Sequence, residues 1–391
     1  MPDYRPDSAE SDPATDTCTP LAAPARRRSR PSRVATVTAA ASASESRVLV
    51  RTEGALGRLT LSRPEALNAL DLGMIRELTA ALKRWREDSD VQIVLIDGAG
   101  DRGLCAGGDV RALYTQIVEG NPGQTAEFFR EEYALNAMIA EYPKPVVAIA
   151  DGITMGGGIG LAAHAAIRVV TERSKLAMPE TRIGFTPDVG GTYLLGRAPG
   201  RLGEYLGLTG GTMNGADAIH AGFADHFVPS DRLDDLREAL ATRADPTGPA
   251  EIVLLFDETP DPAPLAGIRP WVDEVFDADS VAEIVLRLRA RPEPEAAATL
   301  ATLEELSPTA LAVTLDAVRE ARGGDLRAAL TAEYRRVLWF AHEHPDLVEG
   351  IRAQLVDKDR TPHWRPATIA DLETDAAAAA RAYVPETSLF A

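Results

Sequence analysis

The sequence predicts an α/β fold in which strand-strand-helix units wind into a spiral core, followed by a helical C-terminal region. Three observations predict it. Apolar runs at Val91 to Ile96 and Val146 to Ala150 read as buried strands, and each runs on through a glycine turn into the start of a helix. Further short strands at Ile167 to Thr171 and Leu176 to Met178 repeat the unit, which favours a spiral over a doubly wound sheet. After Val228 strand patterning stops, and apolar residues recur at helical period, as in Val281, Ile284, Val285 and Leu288.

Residues 1–45 are rich in Ala, Pro, Ser, Thr and Arg and carry few large apolar side chains, a composition expected to stay disordered. Val48 to Arg51 and Leu59 to Leu61, around Gly54 and Gly57, predict a hairpin. Leu72, Ile75, Leu78, Leu82 and Trp85 space an amphipathic helix over 71–87. The strand at 91–96 leads through Cys105-Ala106-Gly107-Gly108 to a helix from Asp109, and the strand at 146–150 leads through Gly156-Gly157-Gly158 to a helix reaching His164. The expected organisation is a tail over 1–45, a core carrying the active site over 46–228, a helical region over 229–365 and a tail over 366–391, with the Ala376 to Ala380 run as an exposed helix or tail.

A chain of 391 residues, 45% hydrophobic, is long enough to bury a full core. Its formal net charge of -18 argues against nucleic acid or an anionic membrane as partner, because both need a basic face. Two cysteines, Cys18 and Cys105, make no disulfide framework. No apolar run reaches the ~18 residues that span a bilayer. Arg26 to Arg30 could be taken for part of a targeting signal, but Asp3, Asp7, Glu10, Asp12 and Asp16 precede it. A cytoplasmic protein is expected. His164, His220 and His226 lack metal-ligand spacing, so no metal is expected; there is no GxSxG elbow, and the glycine run fails the dinucleotide register.

The informative chemistry lies in the glycine turns and the carboxylates near them. Glycine lets a carbonyl approach the main chain closely, and a turn opening a helix points unpaired N–H donors outward. Two such turns can form an oxyanion hole. Glu180 follows Pro179 at the end of a short strand; it can attack an acyl carbon, deprotonate water, or merely favour a helix start. Asp188, before Val189-Gly190-Gly191, reads either as a helix N-cap or as a group facing substrate or water.

Cys-Ala-Gly-Gly-Asp-Val at 105–110, the run from Pro143 to Leu161 and Met178-Pro179-Glu180 through Gly191, in this order and spacing, resemble the crotonase (enoyl-CoA hydratase/isomerase) superfamily over roughly residues 47–365. The resemblance implies a crotonase-type spiral, an acyl-CoA substrate, no separate cofactor because CoA is part of the substrate, and homo-oligomers of unspecified number. It implies oxyanion donors at the Ala106 and Gly157 amides. Hydratases of the family carry a glutamate where this chain has Gly160. The pattern Gly160, Glu180, Asp188 is similar to the 3-hydroxyisobutyryl-CoA hydrolase branch, as are Phe128 to Tyr133, Glu349 to Ala353 and Asp357 to Asp359. That branch implies thioester hydrolysis in valine breakdown, with Glu180 and Asp188 catalytic and Glu132 touching substrate; on residues alone Glu132 also fits a solvated helix face. Arg63, in a segment similar to the family's nucleotide-side motif, is a candidate for a CoA phosphate or an exposed turn residue. The alternatives are an enoyl-CoA hydratase, which Gly160 disfavours, and an acyl-CoA-binding scaffold without chemistry.

Overall fold

The computed structural model describes residues 46–242, 248–372 and 375–390. The expected N-terminal tail lies outside them. Two sheets organise the chain. Strands β1 (Val48–Glu53) and β2 (Leu56–Leu61) form an antiparallel hairpin, and β3 (Ile93–Gly98), β5 (Val146–Ala150), β7 (Ile167–Val170) and β9 (His226–Phe227) extend it in parallel, in the order β1-β2-β3-β5-β7-β9. The strands β4 (Gly103–Cys105), β6 (Ile153–Met155) and β8 (Lys175–Ala177) make a second, parallel sheet. Each turn of the spiral contributes one strand to the large sheet, one to the small sheet, and then a helical segment. The helical segments are α2 (Val110–Val118), continued by α3 (Pro122–Ala140), then α4 (Gly157–Ala162) and the 3₁₀ turn Glu180–Ile183.

Central strands of a parallel sheet are covered on both faces, so their residues are apolar throughout rather than alternating. All of Ile93 to Ile96 and Val146 to Ala150 are buried. Val94 and Ile96 point into the main core, which α1 (Leu72–Glu87) helps to fill with Ile75, Leu78, Leu82 and Trp85. Ile93 and Leu95 point the other way, onto Leu233, Leu236 and Leu240 of the Leu233–Thr242 helix. Asp71 caps α1 by accepting the Met74 N–H at 2.9 Å.

Residues 46–391 form one compact unit, so position 228 marks the end of the sheets rather than an edge of the core. Long helices follow, among them Pro308–Ala321, Leu326–Glu343 and Asp346–Ile351. Of the two readings of the Ala376 to Ala380 run, the helix holds, and it is docked on the core rather than free. The Ala376–Ala382 helix buries Ala380, Leu389 packs into the main core, and Arg381 pairs with Asp316. A run of alanines packs closely because it has no side chain beyond Cβ to order, so its helix docks at small entropic cost.

Candidate active site

The spiral brings the ends of its three units together around a cavity of about 280 Å³ whose walls include Ala106, Gly108, Glu132, Gly157, Glu180 and Asp188. The C-terminal helices close it through Leu347, Gln354 and Leu355. Five residues singled out in the sequence, separated by up to 82 positions, therefore share one space; Arg63 does not. Its guanidinium pairs with Asp109 at 2.9 Å and donates to the Ala69 carbonyl, tying the Pro64–Ala66 turn to the start of α2.

The two glycine turns lie against each other. Gly156 has φ +47°, a conformation that strains any other residue, and its missing Cβ leaves space for Glu180 Oε1, which would stand 2.9 Å from such an atom. A Cβ on Gly157 would stand 2.5 Å from Glu132 Oε1 and 3.3 Å from the Gly108 nitrogen. The bare turn is what lets both carboxyls reach the main chain.

The geometry corrects one donor. The Ala106 N–H is spent on the Leu67 carbonyl at 3.0 Å, so it cannot also serve a bound oxygen. The Leu70 strand-like contact then takes the Gly107 carbonyl and the Asp109 N–H, and leaves the Gly108 N–H between them without a partner among the described residues. The Gly157 amide opens α4, and its N–H donates to no carbonyl among the described residues. Gly108 and Gly157 are thus the pair of donors that the structure offers.

Glu132 and Glu180 are 2% and 7% exposed, and Glu132 Oε1 and Glu180 Oε2 accept no hydrogen bond from any described residue. A solvated helix face for Glu132 is excluded by its burial. Burial raises both carboxyls well above the usual carboxylate range, and the Asp188 charge adds to it. Asp188 does not cap the helix behind it. Its Oδ2 accepts the Tyr133 hydroxyl at 2.8 Å; burial pushes it up to about 7, against the lowering effect of that hydroxyl. The amides that Asp188 would have capped are held instead by Glu333 of the Leu326–Glu343 helix, whose Oε2 accepts the Gly190 N–H at 2.7 Å and whose Oε1 accepts the Thr192 N–H at 2.9 Å.

Tyr133, Glu333 and Gly108 are the parts that the sequence did not reveal. Tyr133 adjoins Glu132 in the Phe128 to Tyr133 signature, the one local signal that could have found it. The second signature also resolves physically: Arg352 bridges Glu349, Asp357 and Asp359 at 2.7, 2.7 and 2.6 Å, fixing the segment that carries Gln354 and Leu355 over the cavity. Cys105 is fully buried, and burial pushes its thiol up to about 12, which leaves it inert beside the site.

A raised carboxyl is also a stability statement. Between the unfolded value near 3.8 and the folded value of about 7, the native state holds a proton that the unfolded chain has released, so Asp188 lowers stability as pH climbs through that window. Asp188→Asn is therefore expected to raise Tm at pH 8 and to lose most of that advantage by pH 4. A gain of a few degrees follows from ~1.4 kcal/mol per pKa unit and ~2 °C per kcal/mol. Thermal melts at the two pH values check it; an equal shift at both would contradict the buried-charge account.

A spiral α/β fold with two free backbone N–H donors facing buried carboxyls defines an enzyme of the acyl-thioester-binding type. The chain belongs to the enoyl-CoA hydratase/isomerase family, whose model matches residues 56–380. It is 42% identical over 333 residues to the 3-hydroxyisobutyryl-CoA hydrolase, mitochondrial, of Danio rerio, and 39% identical over 333 residues to that of Homo sapiens. Each alignment covers 83% of this chain and 86% of the relative. Among solved structures it is similar to a carnitinyl-CoA dehydratase from Mycobacterium thermoresistibile (46% identity, TM-score 0.83, 88% of this chain and 98% of that one). An enoyl-CoA hydratase from Rhodobacter sphaeroides follows with 43% identity, TM-score 0.81 and coverage of 87% and 98%. Among the described residues no helix is long and apolar enough to cross a membrane, and no group of three metal-binding side chains occurs.

Proposed function

We propose that this chain hydrolyses an acyl-CoA thioester, 3-hydroxyisobutyryl-CoA, to the free acid and CoA. The carrying observation is at Gly160, where hydratases of the family place a glutamate: a Cβ there would stand 2.7 Å from both Asn136 Nδ2 and Val189 Cβ, so the site has no room for that second acid. The names of the curated relatives agree with hydrolysis. The names of the two solved structures, a dehydratase and a hydratase, favour the alternative of water addition to an enoyl-CoA, and the experiment below separates the two.

In this reading the thioester carbonyl accepts the Gly108 and Gly157 N–H groups, which hold the negative charge that develops on oxygen; each such donor is worth about 10²–10³ in rate. Glu180 then either attacks the acyl carbon, giving an anhydride that water resolves, or takes a proton from water as that water attacks. In both routes the C–S bond breaks, water supplies the acid's new oxygen, and the CoA thiolate leaves with one proton. Asp188, oriented by Tyr133, accepts the hydrogen of the substrate's 3-hydroxyl or of the attacking water, and Glu132 lies along the acyl side of the cavity.

Thiol release from 3-hydroxyisobutyryl-CoA and loss of the enoyl absorbance of crotonyl-CoA, followed side by side with the purified protein, test the reading. Thiol release without enoyl loss is expected. Enoyl loss without thiol release would replace hydrolysis by hydration, and silence with both would favour another acyl group or a binding role. The place in valine breakdown comes with the substrate. A cytoplasmic location and a homo-oligomer remain proposals of the same reading, checked by cell fractionation and by light scattering.

A further inference from the structure

We propose that Glu333 is a positioning residue for Asp188: from the Leu326–Glu343 helix its carboxyl clamps the turn at Val189 to Thr192 and so sets the direction in which Asp188 faces the cavity. This rests on the thioester-hydrolase reading and extends it to a residue 145 positions further along the chain.

The turn needs such a clamp. Val189 has φ +53° and Gly190 φ +79°. A β-branched residue in the left-handed region is strained, and such a conformation persists only where the surroundings over-determine it. They do so from three sides. His164, two residues beyond α4, meets the Val189 carbonyl with Nε2 at 2.7 Å. Tyr133 holds the Asp188 carboxyl. Glu333 takes the Gly190 N–H, the Thr192 N–H and the Thr192 hydroxyl, the last at 2.5 Å.

A local cap is not available in place of Glu333. Gly190 has no side chain, and a Cβ there would strike His164. Glu333 is itself fully buried, a costly place for a carboxyl, and all three of its contacts go to the segment that carries Asp188. The contact at Thr192 holds in either protonation state, because a hydroxyl donates to a carboxylate and accepts from a carboxylic acid. Burial pushes Glu333 up to about 8, which makes that tolerance useful near neutral pH.

Glu333→Gln is the informative change. Whichever way the amide turns, its NH₂ faces one of the two backbone N–H groups, and that donor loses its acceptor while the side-chain volume stays the same. The expected result is a kcat for thiol release lower by roughly tenfold or more with KM changed by less than about threefold, since the substrate's CoA contacts are untouched. The acidic limb of the pH-rate profile is expected to move as well, which loss of stability alone would not cause. A folded Glu333→Gln variant with kcat within twofold of wild type and an unmoved profile overturns the inference. Should that variant fail to fold, the Thr192 pair decides. Thr192→Ser keeps the hydroxyl and is expected to keep turnover, Thr192→Val loses the hydroxyl and is expected to lose turnover, and equal kcat in the two overturns the inference.

Failure of the functional reading is told apart because wild-type protein would then release no thiol. The clamp is still read without turnover, in the carbon-13 titration of the Asp188 carboxyl. A midpoint displaced by Glu333→Gln supports the inference, and superimposable curves overturn it.

Discussion

Glu180→Gln is expected to lower thiol release from 3-hydroxyisobutyryl-CoA by roughly 10²–10⁴-fold, the usual range for removing a positioned acid-base group. Glutamine keeps the size and the hydrogen-bonding shape of the side chain but can neither attack an acyl carbon nor take a proton from water. Glu180 stands over Gly156 at the mouth of the donor pair, with Oε2 unpartnered and its carboxyl raised by burial and by Asp188. Both are costs to the folded state, so the variant is expected to melt at or above the wild-type temperature while it loses turnover. Steady-state rates and a melting curve on the same preparation measure the two together. A variant that keeps more than a tenth of wild-type kcat would remove Glu180 from the chemistry and leave the donor pair as the main catalytic device.

Gly160→Glu is expected to damage the fold and to install no hydration. The new Cβ would overlap Asn136 Nδ2 and Val189 Cβ, and both neighbours are fully buried. Overpacking of this kind costs about 1–3 kcal/mol, and an unpaired buried carboxylate adds several more. A fall in Tm of roughly 6 °C or more follows at ~2 °C per kcal/mol. Displacing Val189 also disturbs Asp188 next to it, so hydrolysis is expected to fall too. Calorimetry and the crotonyl-CoA assay check both halves. An unchanged Tm with new hydratase activity would show that the pocket at 160 has room after all, and would reopen the hydratase reading of this chain.

Much of the fold was legible because its signals are local. The apolar runs at β3 and β5, the period of α1 and the glycine turns each occupy one stretch of sequence, and the spiral follows from their order. The small sheet was harder: β4, β6 and β8 have three residues each, too few for an alternation to register. The carboxylates Glu180 and Asp188 stood out because they flank the glycine turns. Their control did not, because Tyr133 reaches Asp188 across 55 positions and Glu333 reaches Gly190 across 143. The Ala106 assignment failed for a related reason. Which amide of a glycine turn stays free depends on the Leu67 carbonyl, nearly forty residues away, and nothing in Cys-Ala-Gly-Gly-Asp tells Ala106 from Gly108. The C-terminal helix was one of two readings of the alanine run, but its docking was not legible because alanine carries no amphipathic pattern to read.

The span between Gly190 and Glu333 also sets a schedule for the newly made chain. Ribosomes deliver about 5–20 residues per second, and N-terminal parts organise first. The Asp188 turn therefore leaves the ribosome about 7 to 30 seconds before the helix that holds it, at that rate. Throughout that interval the spiral can assemble its sheets and both glycine turns, since all of their partners lie upstream. The strained turn at Val189 has its upstream contacts to His164 and Tyr133 in that interval, but it lacks the Glu333 clamp until the Leu326–Glu343 helix emerges. Competence thus waits for that helix, and a chain released before it would carry the glycine turns and carboxylates of the site with the Asp188 turn only partly held.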